Sequence, residues 1–268
     1  MSGHPATTAP PDFAVSVRRA FGRRADGYER HARLQRGIAW RLAGLCRPLP
    51  LAPGPRADLG AGSGLLSRAL LDRWPALAER PPLQLDHCTE LLARNPLAGG
   101  AGGLLWDLNR GLPPGLRQAS LLASSFALQW LEAPARRLRE WADALAPTGW
   151  LVLAVPCAGS FPQWRQAAAS ADVPCTALEL PIAADLIRAA GQAGLDPAVA
   201  RVLRFSRPRQ GGLDTLRQLG DLGAVASRRP PLATGQLRRL LRHWPDSASL
   251  TWEVLVLIAR RSGTGRCA

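Results

Sequence analysis

Apolar residues first recur at helical spacing along this chain and then fall into short runs separated by turn-forming residues. Between residues 13 and 45 they recur every three or four positions, until the prolines at 48–55 break the pattern. This stretch predicts two helices ahead of the first strand.

Beyond residue 55, strand-length and helix-length segments alternate. The predicted strands are residues 57–59, 83–85, 103–106, 121–123, 150–155, 199–205 and 250–259. The predicted helices are residues 65–74, 89–93, 135–145, 162–171, 182–193, 213–222 and 235–242. Such alternation predicts an α/β fold with a doubly wound, mostly parallel sheet of seven strands. A ligand is then expected across the carboxyl ends of strands one, two and four, where the strand order reverses.

One domain is expected, because 268 residues with 47% apolar content can bury one substantial core. Residues 1–12 are rich in proline, alanine and threonine, which predicts a disordered lead. The single domain would then span residues 13–268, with cap helices at 13–50, a cofactor-binding core at 56–155, substrate-side helices and strand six at 156–248, and a closing strand at 249–261. The helices outside the core are expected to roof the site.

The formal net charge is +14, and all 34 basic residues are arginines. They are spread along the chain without a run of five or six, so the charge does not favour nucleic-acid binding. An acidic protein partner remains compatible, because a positive surface steers such a partner over long range.

Five cysteines lie scattered along the chain, without CxxC spacing or a histidine cluster, and they predict reduced thiols in the cytoplasm. The longest apolar runs are only strand-length, so neither a membrane span nor an export leader is expected. Nothing in the sequence resembles a metal cluster, a catalytic Ser/His/Asp triad or a P-loop.

The most informative motif is DLGAGSG, from Asp58 to Gly64. Its alternate glycines, Gly60, Gly62 and Gly64, together with Ala61, suit a strand-to-helix turn that approaches a nucleoside cofactor closely. The spacing departs from the GxGxxG pattern of dinucleotide sites, and Asp58 would repel a pyrophosphate. The same carboxylate would attract the ammonium and sulfonium groups of S-adenosylmethionine, which is therefore the predicted cofactor. The alternative is a glycine-rich turn without a ligand.

Further cofactor contacts are predicted after the next three strands. The predicted residues are Asp86, His87, Asp107, Leu108 and Ser124, with Ser125 beside the last. Asp86 would accept hydrogen bonds from both ribose hydroxyls, or would cap the helix that starts at Thr89. Asp107 would accept from the adenine amino group, or would be a turn residue before Asn109.

Five residues are candidates for contact with the second substrate. Tyr28 is the only tyrosine, with His31 and Gln35 on a similar face of the same helix. Gln129 and Trp130 follow strand four and would line the acceptor pocket. Tyr28, Gln129 and Trp130 are the catalytic candidates. For each of the five, and for Trp130 above all, an ordinary structural role is the alternative.

Several segments together resemble the malonyl-acyl-carrier-protein O-methyltransferases of biotin synthesis. The matching segments are RAFGRRADGYERHARLQ (19–35), DLGAGSG, SSFALQWLEAP (124–134), GSFPQW (159–164), FSRPRQGGLDTLRQLGDLGA (205–224) and LTWEVLVLIARR (250–261). The resemblance implies a Rossmann-like class I methyltransferase fold, in which the last strand pairs with the sixth like a hairpin.

The resemblance also implies methyl transfer from S-adenosylmethionine to the free carboxylate of a malonyl thioester on acyl carrier protein. Relatives often carry a lysine where this chain has Gly220, so a basic contact to substrate or carrier would fall to Arg217 or another arginine. A malonyl carboxylate has a pKa of about 4 and needs no general base, which agrees with the absence of an obvious one. The alternatives are malonyl coenzyme A, another small carboxylate or quinone-like acceptor, or an assembly protein that retains the fold.

Overall fold

The computed structural model describes residues 12–207, 211–245 and 250–263. The lead expected at 1–12 therefore falls, except for Asp12, outside the described residues, as does Cys267. The other four cysteines are free. Burial raises the pKa of the Cys46 thiol to about 12 and that of Cys157 to about 11, so both thiols stay protonated near neutral pH.

The order of elements follows the alternation predicted from the sequence. The described helices are α1 Phe13–Gly22, α2 Tyr28–His31, α3 Arg33–Cys46, α4 Leu65–Arg73, α5 Thr89–Leu92, α6 Pro134–Ala144, α7 Pro162–Ser170, α8 Ala183–Gln192, α9 Gly212–Asp221 and α10 Thr234–Arg242. The described strands are β1 Arg56–Leu59, β2 Leu83–Asp86, β3 Gly103–Leu105, β4 Ala119–Ser125, β5 Leu145–Pro156, β6 Leu195–Arg207 and β7 Leu250–Arg261. Most of the remaining segments are single 3₁₀ turns and loops. None of the described helices is long and apolar enough to cross a membrane.

The sheet has the strand order β3-β2-β1-β4-β5-β7-β6. The first five strands are parallel, while β7 runs antiparallel to both β5 and β6. The order reverses between β1 and β4, which confirms the predicted doubly wound sheet and leaves a crevice at their carboxyl ends.

The N-terminal segment forms three helices where the sequence predicted two. Ala32 has a non-helical backbone, with ψ 41°, and separates the single turn of α2 from α3. A break of one residue leaves the apolar spacing almost unchanged, so periodicity alone does not reveal it.

The central strands of the sheet are buried on both faces, whereas the edge strand β6 is largely exposed. Leu122 belongs to the layer that packs against α6 and α8, whereas its neighbour Leu121 belongs to the layer that packs against α3 and α4. A third cluster, built around Trp164, Leu219 and Trp244, joins α7, α9 and α10. This cluster holds helices over the carboxyl end of the sheet.

We expect Leu122→Ala to lower the free energy of unfolding by about 2–5 kcal/mol, because Leu122 is fully buried and the deletion leaves a cavity. Leu105→Ala is the matched control, since Leu105 is 55% exposed on β3, the edge strand of the same sheet, and should change stability by less than about 0.5 kcal/mol. Urea unfolding followed by circular dichroism measures both. Equal losses would contradict the two-sided burial of β4.

Candidate cofactor and acceptor site

The glycine turn after β1 depends on backbone conformations that favour glycine. Gly60, Gly62 and Gly64 have φ angles of 74°, 53° and 84°. A Cβ atom on Gly60 would lie 2.2 Å from the Cβ of Ala127, and the Gly60 N–H donates to the Leu85 carbonyl at 2.8 Å. The turn is therefore pinned against β2 on one side and packed closely on the other.

Asp86 is the last residue of β2, and its carboxylate holds the glycine turn in place. The Gly62 N–H donates to its Oδ2 at 2.8 Å, and the Cys88 N–H donates to its Oδ1 at 2.8 Å. Each oxygen keeps one lone-pair direction, which suits two ribose hydroxyls. The N-cap of α5 is Cys88, so Asp86 stabilises the chain just before that helix and does not cap it directly.

Asp58 is part of a buried network of polar side chains. The Ser67 hydroxyl donates to Asp58 Oδ2 at 2.7 Å and accepts from Gln84 Nε2 at 3.0 Å. Asn95 Nδ2 donates to Gln84 Oε1 at 2.9 Å and lies 3.3 Å from the Gly62 carbonyl. The network therefore joins α4, β2 and the loop after α5 to the glycine turn, and it holds Asp58 in one orientation.

The two buried carboxylates favour a cationic ligand. Burial raises the pKa of Asp58 to about 7, the negative charge of Asp86 adds to this effect, and the Ser67 hydrogen bond opposes it. Burial also raises the pKa of Asp86. Asp58 Oδ1 is buried and has no hydrogen-bond partner in the described part of the chain. The ammonium and sulfonium groups of S-adenosylmethionine would supply the missing positive charge, so these residues fit that cofactor.

Three further predicted cofactor contacts, among them the adenine candidate Asp107, line the same cavity. Asp107, Leu108 and His87 all line it. Asp107 Oδ1 also accepts from the Asn109 N–H at 2.9 Å, so the turn role and a ligand role are compatible in one carboxylate.

The prediction for Ser124 needs a correction. Its hydroxyl is fully buried and donates to the Leu59 carbonyl at 2.7 Å, so it joins β4 to β1 and does not line the cavity. Ser125 lines the cavity, and its hydroxyl is buried without a partner among the described residues. Neighbouring strand residues point to opposite faces, so only one of the two serines faces the site.

Four of the predicted acceptor-side residues line the same cavity as the glycine turn. Tyr28, Gln35, Gln129 and Trp130 all line it. Gln129 Nε2 donates to the Phe126 carbonyl at 2.7 Å, while Gln129 Oε1 is buried without a partner in the described ranges.

Trp130 combines the two roles that the sequence left open. Its ring meets the ring of Phe21 edge to face, with centroids 5.5 Å apart, and it also lines the cavity. Tyr28 packs against Phe21 as well, and burial together with the negative charge of Asp86 raises the pKa of the Tyr28 phenol. Tyr28 is therefore a hydrogen-bond donor and not a base near neutral pH.

Two predicted substrate residues do not reach this cavity. Arg217 lies on the outer side of α9, where its side chain is 67% exposed and its guanidinium is 3.6 Å from Asp214. His31 is exposed and borders a smaller, neighbouring cavity. His31 was predicted from helical spacing, which does not fix the direction in which a helix face points. Arg217 was predicted from the resemblance to the malonyl methyltransferase family, as a substitute for a lysine that relatives carry at position 220.

Sequence reasoning missed much of the acceptor wall. The missed lining residues are Phe161, Trp164, Thr176, Leu178, Leu180, Leu219, Leu222 and Trp252. The GSFPQW segment held a signal, because it contains two of these aromatic residues. The whole cavity encloses about 1460 Å³, including space open to solvent.

The charged lining of the cavity is acidic. Its ionisable carboxylates are Asp58, Asp86 and Asp107, and no arginine belongs to the described lining residues. No group of His, Cys, Asp or Glu in the described ranges is placed to hold a metal ion. The cavity thus suits a cationic cofactor at its acidic end.

No protein-family model matches the chain. Geranyl diphosphate C-methyltransferase of Streptomyces coelicolor, solved with Mg²⁺, geranyl diphosphate and S-adenosyl-L-homocysteine, superimposes with a TM-score of 0.55 at 15% identity, over 94% of this chain and 100% of that one. The chain has the class I methyltransferase fold. This confirms the predicted fold class.

This chain is similar over most of its length to several curated proteins. It is 37% identical over 255 residues to the biotin biosynthesis bifunctional protein BioCD of Bordetella avium, covering 91% of this chain and 51% of that protein. It is 28% identical over 255 residues to the malonyl-[acyl-carrier protein] O-methyltransferase of Pseudescherichia vulneris, covering 90% of this chain and 96% of that protein. The chain thus spans about half the length of the Bordetella relative. The resemblance read from the sequence is confirmed, and the comparisons support S-adenosylmethionine as the cofactor.

We expect Gly60→Ala to abolish measurable binding of S-adenosylmethionine, because the added methyl group would lie 2.2 Å from the Ala127 Cβ at a φ of 74°. Gly115→Ala is the matched control, since nothing lies within 4 Å of a Cβ built there. Isothermal titration calorimetry measures affinity, and thermal unfolding checks that both variants fold. Retained binding by a folded Gly60→Ala protein would contradict the turn as the cofactor cradle.

Cofactor affinity should rise with pH. Because the pKa of Asp58 is raised to about 7, a cation binds poorly while the carboxyl is protonated and binds better once it has ionised. We expect the affinity for S-adenosylmethionine to increase about tenfold between about pH 5.5 and about pH 7.5. In this range the α-amino group of the cofactor stays mostly protonated, so its own ionisation contributes little to the change. Calorimetry over this range measures it.

Asp58→Asn should flatten that profile, because the amide oxygen still accepts from Ser67 but carries no charge. Asp72→Asn, an exposed position on α4, should keep the wild-type profile. The same slope in wild type and Asp58→Asn would assign the pH dependence to another group.

Proposed function

We propose that this chain transfers the methyl group of S-adenosylmethionine to the free carboxylate of a malonyl thioester carried by acyl carrier protein, in the cytoplasm. The product would be the malonyl methyl ester used in biotin synthesis. The observation that carries the proposal is a pair of buried carboxylates facing a cavity whose other end is aromatic and has no lining arginine among the described residues. The choice of acceptor in this proposal comes from the names of the similar proteins.

At the cofactor end of the site, residues of this chain bind the charged, polar and apolar parts of the ligand. Asp58 and Asp86 hold positive charge and ribose hydroxyls, and the Gly62 amide fixes Asp86 for that purpose. When bound, S-adenosylmethionine supplies an electrophilic methyl group. The glycine turn allows close approach of the backbone, and Leu108 covers the apolar part of the ligand.

The acceptor end orients an oxygen that is already nucleophilic. A malonyl carboxylate is ionised near neutral pH, with a pKa of about 4, so no residue has to remove a proton. Tyr28 stays protonated and is suited to donate a hydrogen bond, while Trp130 and Phe161 exclude water. A lining arginine would hold the attacking oxygen in an ion pair and weaken it, so the lack of one in the described lining favours reaction.

The lining also discriminates between acceptor classes. A phenol or carbon acceptor needs a base close to the reacting atom. Among the described lining residues, the groups that could act as such a base are three carboxylates and His87. The carboxylates lie at the glycine turn and at the predicted adenine contact, and His87 follows Asp86. A carboxylate acceptor needs none of these as a base, which favours it over a quinone-like ring.

An acidic carrier protein fits the charge of the chain. The formal net charge is +14, and a strongly positive protein attracts an acidic partner and accelerates encounter at low salt. The described residues show four free cysteines, in keeping with a reducing compartment.

The direct test is a methyl-transfer assay with purified protein, radiolabelled S-adenosylmethionine and four acceptors: malonyl-carrier protein, malonyl coenzyme A, free malonate and a quinol. We expect methyl ester only with the malonyl thioesters, and restored growth of a biotin-requiring strain that lacks its own malonyl methyltransferase. Cofactor binding without turnover on any acceptor would instead favour an assembly protein with this fold. Turnover on the quinol alone would reverse the assignment of the acceptor.

Tyr28→Phe should lower kcat/KM about tenfold, which corresponds to the roughly 1.4 kcal/mol of one lost hydrogen bond. The affinity for S-adenosylmethionine should stay unchanged. The pH profile between about 6 and about 9 should keep its shape, because the raised pKa of Tyr28 keeps the phenol protonated throughout. A profile that loses an ionisation in the variant would instead make Tyr28 a base.

A further inference from the structure

A second, smaller cavity of about 500 Å³, including space open to solvent, adjoins the main one. It lies between the beginning of α3, the end of β6 and α9, on the side of the sheet where the parallel strands end. Four side chains line both cavities: Gln35, Leu219, Leu222 and Trp252. The two spaces are thus separated by no more than these residues.

The second cavity changes from polar to apolar along its depth. His31 is exposed and Arg207 and Gln218 are half-buried at its outer side, whereas Leu219 and Leu250 are buried. A ligand with a charged end and an extended, weakly polar chain matches this gradient.

Arg207 supplies the charge at the outer side. Its guanidinium forms no ion pair or hydrogen bond in the described ranges. Side chains alternate along β6, so Arg207 shares a face with Phe205, which lines the same cavity, while Arg204 is exposed on the other face. A half-buried arginine without a counter-ion beside a cavity is a binding position for an anion, and its planar fork matches a phosphate.

We propose that the second cavity admits the phosphopantetheine arm of the acyl substrate, with Arg207 and His31 binding its phosphate and the chain of the arm passing Gln35 and Trp252 into the main cavity. This inference rests on the proposed function, because a thioester of acyl carrier protein or of coenzyme A carries that arm. The phosphate group is common to both sources. It is absent from malonyl-pantetheine, which has the same reactive end.

The test measures methyl transfer to malonyl-carrier protein, malonyl coenzyme A and malonyl-pantetheine by wild type, Arg207→Ala and Arg204→Ala. We expect Arg207→Ala to raise KM about tenfold for both phosphate-bearing acceptors, with kcat and the KM for malonyl-pantetheine unchanged. Arg204→Ala should behave as wild type with all three. The ratio of wild-type kcat/KM for the carrier and coenzyme A forms identifies the preferred source of the arm.

Arg207→Lys keeps the charge and should recover part of the affinity for the phosphate-bearing acceptors, which a purely structural role would not produce. An equal effect of Arg207→Ala on all three acceptors, or no effect on any, would overturn the proposal. Unchanged affinity for S-adenosylhomocysteine in each variant shows that the cofactor end is intact.

Failure of the proposed function gives a different result. Wild type would then bind S-adenosylmethionine but methylate none of the three acceptors. Calorimetry with phosphopantetheine and with pantetheine still tests the cavity in that case. Tighter binding of phosphopantetheine that is lost in Arg207→Ala supports the anion site, and equal binding of the two compounds rejects it.

Discussion

The hydrogen bond from the Gly62 amide to the Asp86 carboxylate is the contact on which the site depends. It ties the turn after β1 to the end of β2, and it turns one carboxylate into both a structural support and a ligand-binding group. The turn can reach Asp86 only because its glycines adopt positive φ angles and because Gly60 has no side chain to strike Ala127. This one hydrogen bond therefore depends on the sheet topology and on the glycine conformations, and it also sets the position of a buried charge.

Two acids buried close together are unfavourable in the absence of a cation, and the fold stabilises them by local means. Ser67 and Gln84 hold Asp58 through a buried chain of hydrogen bonds, while backbone amides hold Asp86. What remains is an unpartnered oxygen of Asp58 and a raised pKa. The site is thus arranged before the ligand arrives, and the ligand's positive charge completes it.

Much of this could be predicted from the sequence. The strands, the reversal of strand order and the glycine turn follow from local patterns, because each depends on residues close together in the chain. The support from Asn95, the outward position of Arg217 and the inward position of Trp252 could not be read in this way. They depend on how α5, α9 and β7 pack against distant parts of the chain. Ser124 and Ser125 show the same limit of prediction on the smallest scale, because a shift of one residue along β4 decides which hydroxyl lines the cavity.

The walls of the main cavity come from separate parts of the chain. The strand ends and the glycine turn form one wall, whereas α1, α7, α9 and the start of β7 form the other. Residues 159–180 and 212–226 can therefore vary with little effect on the β1–β2 connection, whereas α8 and β6 between them belong to the helix layer and the sheet of the core. A protein engineer could exchange these two segments to change which acceptors the cavity accommodates, provided that the aromatic contact between Phe21 and Trp130 is kept.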